Sequence, residues 1–152
     1  MNLQKIRDLV ASVPTEDFIE NIFTDETGKC CLVGHVSRLL SKDPTDYSIG
    51  NCNPHRTENY EAKELIELSH HLLLKKGVTN QQLNNEKAKG GNFYITLRDA
   101  VFAINNGFAT DIYQQESVKE RGLALLDDLI ADSHSIQENA KDSDTPADDT
   151  RP

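Results

Sequence analysis

All three cysteines and two of the five histidines fall between positions 30 and 55. Two pairs among them carry ligand spacing, Cys31-x3-His35 and Cys52-x2-His55. Residues i and i+4 share one face of a helix, so Cys31 and His35 can address one ion together. The second pair, in "CNPH", sits in a loop stretch where an x2 spacing closes a common chelate. The four groups are soft to borderline donors in tetrahedral number, a set that suits zinc. A plainer account competes with it. Free cysteine is among the most buried residue types, so Cys30 and Cys31 also read as small apolar residues at a packed helix start, with His55 a solvated loop histidine.

The stretch "GKCCLVGHVSRLL", Gly28 to Leu40, allows a third chemistry. A thiolate at a helix N-terminus is stabilised by the dipole and by unpaired N–H groups. Cys30 or Cys31, following Lys29, occupies such a place. His35, His55, His70 or His71 could act as base, which would make the chain a cysteine-dependent hydrolase or transferase. The remaining polar features read as structural. His70 and His71 are consecutive on a helix and point about 100° apart, so at most one faces the core. Asp127 and Asp128 belong to a solvated helix face, and Gly90-Gly91 lacks the rest of a phosphate-binding pattern. Tyr47, Tyr60, Tyr94 and Tyr113 have no interleaved basic residues, so no base-stacking platform is implied.

The elements that must position these groups come from a chain of 152 residues, the size of one domain. Such a length buries enough surface to fold without a disulfide or a metal. No run of 18 apolar residues is present, and charges interrupt every apolar stretch of the first 18 residues. A cytoplasmic setting is therefore expected, and reduced thiols with it. Formal net charge is −9, of which the stretch from Asp132 onward supplies −4 through six acidic and two basic residues. An acidic balance argues against a phosphate backbone or an anionic membrane as partner. It allows mimicry of nucleic acid, but mild acidity serves solubility in most proteins.

Helical periodicity dominates. Leu3, Ile6, Leu9, Val10 and Val13 share a face, giving a helix over 2–13 that Pro14 ends. Thr15 can cap a second short helix carrying Phe18, Ile19, Ile22 and Phe23, residues that also fit a strand. Leu32, Val33, Val36, Leu39 and Leu40 form the stripe of a helix over 31–40. A long loop, 41–59, follows, dense in Asp, Pro, Asn and Gly. A strong helix over 60–76 presents Ala62, Leu65, Ile66, Ser69, Leu72 and Leu73 inward, and Gly77 stops it. Thr79 to Gln82 has capping-box form. Thr96 caps a helix with Leu97, Ala100, Val101 and Ile104, closed by "NNG", Asn105 to Gly107. Ser117 opens a last helix with core face Val118, Gly122, Leu125, Leu126, Leu129 and Ile130. The expected class is mainly α, a compact bundle of five or six helices in one domain over 1–134. "FIENIF" and "NFYIT" are the strand candidates for one short pair. The composition of 135–152 cannot offset its ordering entropy, which predicts a disordered acidic tail.

The succession "FTDETGKCCLVGHVSRLL", "LRDAVFAINNG" and "ESVKERGLALLDDLI" resembles a small uncharacterised bacterial and phage family of helical proteins. Its marks are a Cys-x-x-Gly-[Ala/His] helix start, an Asn-[Asp/Asn] helix end and a final leucine-rich helix. Cys31, Gly34 and His35 match the first, Asn105 and Asn106 the second, and Leu125 to Ile130 the third, within a span of roughly 3–131. The resemblance implies a packing role for Cys31 and Gly34 and carries no activity over to this chain. The expectation for function is a small cytosolic interaction or regulatory protein, phage-encoded or otherwise accessory, that binds a protein partner. The loop 41–59 is its expected contact surface. A zinc-stabilised module on Cys31, His35, Cys52 and His55 and a thiol enzyme on Cys30 or Cys31 are the alternatives.

Overall fold

In the computed structural model the described residues are 2–20, 22–40, 50–51, 60–91, 94–109 and 111–149. The first helix, α1 (Leu3–Ser12), begins at Asn2, whose side chain accepts a bond from the Lys5 N–H. It buries Ile6 and Val10 and lies on the last helix, α6 (Val118–Asp149), with Arg7 paired to Asp127 at 2.9 Å. Pro14 ends it as expected. The helix expected next shrinks to one 3-10 turn, Thr15–Asp17. Pro14 rather than Thr15 occupies its cap position, and no side chain caps it. The chain then becomes extended, because Phe18 makes a parallel bridge to Cys30.

One short antiparallel pair is present. Strand β1 (Ile22–Thr24) pairs with β2 (Gly50–Asn51), Ile22 opposite Asn51 and Thr24 opposite Gly50, with an irregularity between them. The first strand takes only the last two residues of "FIENIF", Ile22 and Phe23, and runs on to Thr24. The partner is not "NFYIT": residues 94–96 are outside any strand, and the pairing residues come from the 41–59 loop. Between Asp25 and Lys29 the chain reverses. Asp25 Oδ1 accepts bonds from the Thr27 N–H, the Thr27 hydroxyl and the Lys29 N–H, which is an aspartate holding its own turn.

Helix α2 (Leu32–Leu40) follows at once and is almost wholly interior. Helix α3 (Tyr60–Lys75) buries Ala62, Leu65, Ile66, Ser69, Leu72 and Leu73, the face that its periodicity predicts. It ends where Gly77 takes a positive φ of 74°. The Gly77 N–H then bonds Leu74 O and the Val78 N–H bonds Leu73 O, the paired closure that satisfies a helix C-terminus. Thr79 and Gln82 form the expected reciprocal capping box, on a 3-10 turn, Asn80–Leu83. Two asparagines there template the chain returning past them. Asn84 exchanges bonds with the N–H and C=O of Ile95, and Asn80 accepts from the Leu97 N–H. Asn85 caps α4 (Glu86–Gly90).

The helix expected from Leu97 splits. Leu97–Asp99 is a 3-10 turn without a side-chain cap from Thr96, and α5 (Ala100–Asn105) follows it. The last helix opens as expected, with Ser117 Oγ accepting from the Glu120 N–H. Its last buried side chain among the described residues is Leu129, and Asp132 still meets Lys75 of α3 at 2.8 Å. The helical backbone continues to Asp149 through the acidic stretch. Among the described residues no helix is long and apolar enough to cross a membrane.

The bundle is mainly helical, and α2 sits at its centre between α1, α3, α5 and α6. The close approach of α2 and α6 depends on Gly122. A Cβ built there would lie 2.9 Å from Leu32 Cδ1, inside contact distance. Leu32 is fully buried and cannot yield freely. Gly122→Val should therefore destabilise the fold by about 1–3 kcal/mol. Urea unfolding followed by circular dichroism checks this, and an unchanged midpoint would show that α2 and α6 can separate at no cost.

Candidate functional site

The cysteine and histidine motif of α2 is placed by what closes the helix start. Helix N-termini leave N–H groups without intrahelical partners. Here the Gly34 N–H bonds Cys31 Sγ at 3.4 Å, while His35 N–H reaches Cys31 O at 2.9 Å. Cys31 therefore stands in the N-cap position, with its sulfur doing what a serine oxygen usually does. The Leu32 N–H is satisfied from a distant element, by Asn105 Oδ1 at 2.9 Å. Cys30 lies just outside the helix. Its N–H bonds Asp17 O, its C=O accepts from the Ile19 N–H, and its thiol points to Gly28 O at 3.6 Å. Neither cysteine is in a disulfide, and both are buried, at 1% and 0% exposure.

His35, one turn on, is fully buried. Its Nε2 lies 2.8 Å from Asp17 O, and Arg38 Nη2 lies 3.4 Å from Nδ1. The guanidinium only donates, so Nδ1 accepts and Nε2 carries the proton that Asp17 O receives. Its ring packs on Phe18 with centroids 4.5 Å apart. Burial, seconded by the Arg38 charge, holds the His35 pKa below its ordinary value of 6.5, against the pull of the Asp17 carbonyl and carboxylate.

Both ring nitrogens of His35 are thus engaged, and Cys31 Sγ accepts a backbone bond. A metal at this pair would have to displace them. Cys52 and His55 lie outside the described residues. Among the described residues no three or more Cys, His, Asp or Glu side chains gather as a metal site would require. His70 and His71 stack on each other with ring centroids 5.4 Å apart, and His71 is exposed.

The most developed polar cluster centres on Arg121, which no sequence motif marks, and on Asn105 of the "NNG" helix end. Arg121 of α6 is 4% exposed. Its Nε donates to Ile104 O, Nη1 to Gln115 O and Glu116 O, and Nη2 to Asn105 O and Glu20 Oε1, all within 2.8–3.1 Å. Glu20 also pairs with Lys87. Asn105, beside the guanidinium, donates to Ile19 O at 3.2 Å and to Asn106 Oδ1 at 3.0 Å while it caps α2. The cluster ties α5, α6, α2 and the 17–20 segment to one point. The Arg121 guanidinium is buried with every N–H donated, so its role is cohesion, while Glu20 and Lys87 lie at the cluster's solvent edge. A signal for it was present in the sequence. Arg121 follows Val118 by three and precedes Leu125 by four, and Asn105 follows Val101 by four. Both interrupt an apolar stripe, and a polar residue so placed must find partners inside.

A second junction joins α6 to the chain ahead of it. Tyr113 is buried, and its hydroxyl donates to Asp128 Oδ2 at 2.8 Å, the same oxygen that meets Lys76 at 3.0 Å. Burial first, then the Asp128 carboxylate, pushes the Tyr113 pKa far above its ordinary value of 10.

Comparison with family models, with curated proteins and with solved structures finds no match to this chain in any of the three.

Two outcomes are expected from this geometry. Asn105→Ala leaves the Leu32 N–H and Ile19 C=O without their partner and should cost about 2–4 kcal/mol in urea unfolding. A loss under half of that would mean water or a neighbour replaces the amide. Tyr113 stays protonated while folded, so the native state binds more protons than the unfolded state above pH 10. Stability should be complete below about pH 10 and fall as pH rises beyond it. An ultraviolet titration should show Tyr113 ionising only with unfolding, and Tyr113→Phe should leave the pre-unfolding amplitude unchanged.

Proposed function

We propose that this chain is a small non-catalytic interaction protein that acts by binding a protein partner in the cytoplasm. One observation carries the proposal. The groups with the most chemical capacity, Cys30, Cys31 and His35, are at most 1% exposed and are bonded into the start of α2 and the bridge beside it. A substrate could reach them only by opening the helix start. Recognition then falls to the outer surface.

Among the described residues that surface exposes two large apolar side chains, Leu74 at 49% and Tyr94 at 74%. Exposed tyrosine is a residue type enriched in interface cores, since it offers a broad apolar face and a polar tip at small entropic cost. The 41–59 stretch, read from its sequence as a long loop and outside the described residues except for 50–51, is proposed as a second contact segment. A net charge of −9 favours a partner with a basic contact face, which would also speed association.

Photo-crosslinking side chains placed at Tyr94 and Tyr47, with Glu86 as a control position, test this in cell extract. The expected result is one discrete protein adduct at Tyr94 or Tyr47, absent at Glu86 and competed away by unlabelled protein. Tyr94→Ala should weaken capture about tenfold if that ring anchors the contact. Two results would displace the proposal. Turnover of an activated ester that disappears in Cys30→Ser or Cys31→Ser would establish a thiol enzyme. One zinc per chain in native mass spectrometry, lost in His55→Ala, would establish the metal module.

A further inference from the structure

"NFYIT" has strand composition, yet its described residues, Tyr94 to Thr96, lie in no strand. One edge of them is nonetheless paired. The Asn84 side-chain amide accepts from the Ile95 N–H and donates to the Ile95 C=O, both at 2.8 Å. A single planar amide meets both groups of one residue only where they point the same way, which is the extended conformation. Thr96 is extended too, at φ −104° and ψ 167°. Asn84 thus stands where a neighbouring strand would. The Tyr94 C=O and the Thr96 N–H, on either side of Ile95, are turned to the opposite edge. Among the described residues neither has a hydrogen-bond partner.

We propose that this edge takes up an extended, acidic peptide segment of the partner as an added strand. The inference rests on the binding function proposed above and specifies its mode. An acceptor and a donor flanking one extended residue are the complement of another peptide backbone. A residue laid alongside in parallel donates to Tyr94 O and accepts from the Thr96 N–H, and an antiparallel segment uses two residues for the same bonds. The edge is held ready before a partner arrives. Ile95 is buried, Asn84 is also tied to Asn80 O at 2.6 Å, and Asn80 Oδ1 accepts from the Leu97 N–H. Little ordering entropy is left for binding to remove on this side.

The side chains beside the edge select the occupant. Tyr94, at 74% exposure, offers its ring to a side chain of the added strand. Arg98, in the 3-10 turn that follows, is exposed and has no carboxylate partner among the described residues. Asp99 next to it is half-buried, with its Oδ2 3.5 Å from the Thr96 hydroxyl. A guanidinium so placed matches the two oxygens of an Asp or Glu carried by the incoming segment. The chain's net charge of −9 acts at long range on the partner as a whole, whereas Arg98 acts at contact distance on one residue.

A displayed library of random peptides, about ten residues long, selected on the immobilised full chain supplies the probe. Enriched peptides should alternate β-branched or aromatic residues and carry Asp or Glu at one fixed offset. Thr96→Pro removes the outward N–H at an extended position and should weaken the synthesised peptides about tenfold. Thr96→Val keeps that N–H and should change affinity by about twofold at most. Arg98→Glu should turn the enrichment from acidic to basic peptides. If Thr96→Pro does not fold, amide exchange in the native chain decides. The Thr96 amide should exchange near its intrinsic rate without peptide, while the Ile95 amide is protected by Asn84, and should gain about tenfold protection at peptide saturation. Three results would each overturn the added strand: no enrichment, enriched peptides indifferent to Thr96→Pro, or a Thr96 amide already protected in the free chain. A photo-crosslinked adduct at Tyr94 that persists in Thr96→Pro removes the strand and leaves the binding function standing. No adduct at either Tyr94 or Tyr47 overturns the binding function, and this inference with it.

Discussion

A helix that ends inside a protein core must find partners for its last carbonyls without water, and α5 is such a helix. Ala100, Val101 and the run from Ala103 to Asn106 are buried. Gly107, at a positive φ of 70°, lets the Gly107 and Phe108 N–H groups turn back to Ile104 O and Ala103 O. What remains is met by Arg121, which spends all five of its N–H donors on four carbonyls and the Glu20 carboxylate. A cation at a helix C-terminus also opposes the negative end of its dipole. The approach is so close that a Cβ on Gly107 would lie 3.3 Å from the guanidinium carbon. Because Asn105 at this same end caps α2, the interior end of one short helix determines where the next one starts.

That arrangement explains why a motif with the look of chemistry is spent on architecture. The start of α2 has no solvent-facing serine or aspartate to cap it. It uses Cys31 Sγ and a borrowed amide oxygen from Asn105 instead. A thiol is small and apolar enough to be sealed in, and still accepts one weak bond. The histidine one turn later is sealed by the same packing, and its two nitrogens are spoken for by a backbone carbonyl and a guanidinium. The outer surface is left to carry recognition, with Tyr94 its most exposed large apolar side chain.

The helical faces were legible because their cause is local. Leu65, Leu72 and Leu73 repeat at the helical period, and the observed burial follows that period. Gly77 was equally readable, since a helix stop is written within a few residues. Three local signals misled. Thr15 and Thr96 have the right type for caps and make no such bond: Pro14 takes the cap position ahead of Thr15, and the Leu97 N–H after Thr96 is met by Asn80. "NFYIT" has strand composition, yet β1 found Gly50–Asn51. Strand pairing joins residues far apart in the chain, and composition carries no address for the partner.

By itself the sequence determined a mainly helical bundle and the inward face of each long helix. These follow from periodicity and side-chain chemistry acting over a few residues. Only the tertiary structure decided that Cys31 caps a helix, that His35 is closed on both nitrogens and that Arg121 and Asn105 organise the interior. The roles of Asn105 and Arg121 depend on partners as far as 86 and 101 positions away, Ile19 and Glu20, and those of Cys31 and His35 on a packing environment that excludes water. Free thiol, imidazole and guanidinium have many uses. Which one a residue serves is set by what the fold brings within three ångströms of it and by whether water is admitted there.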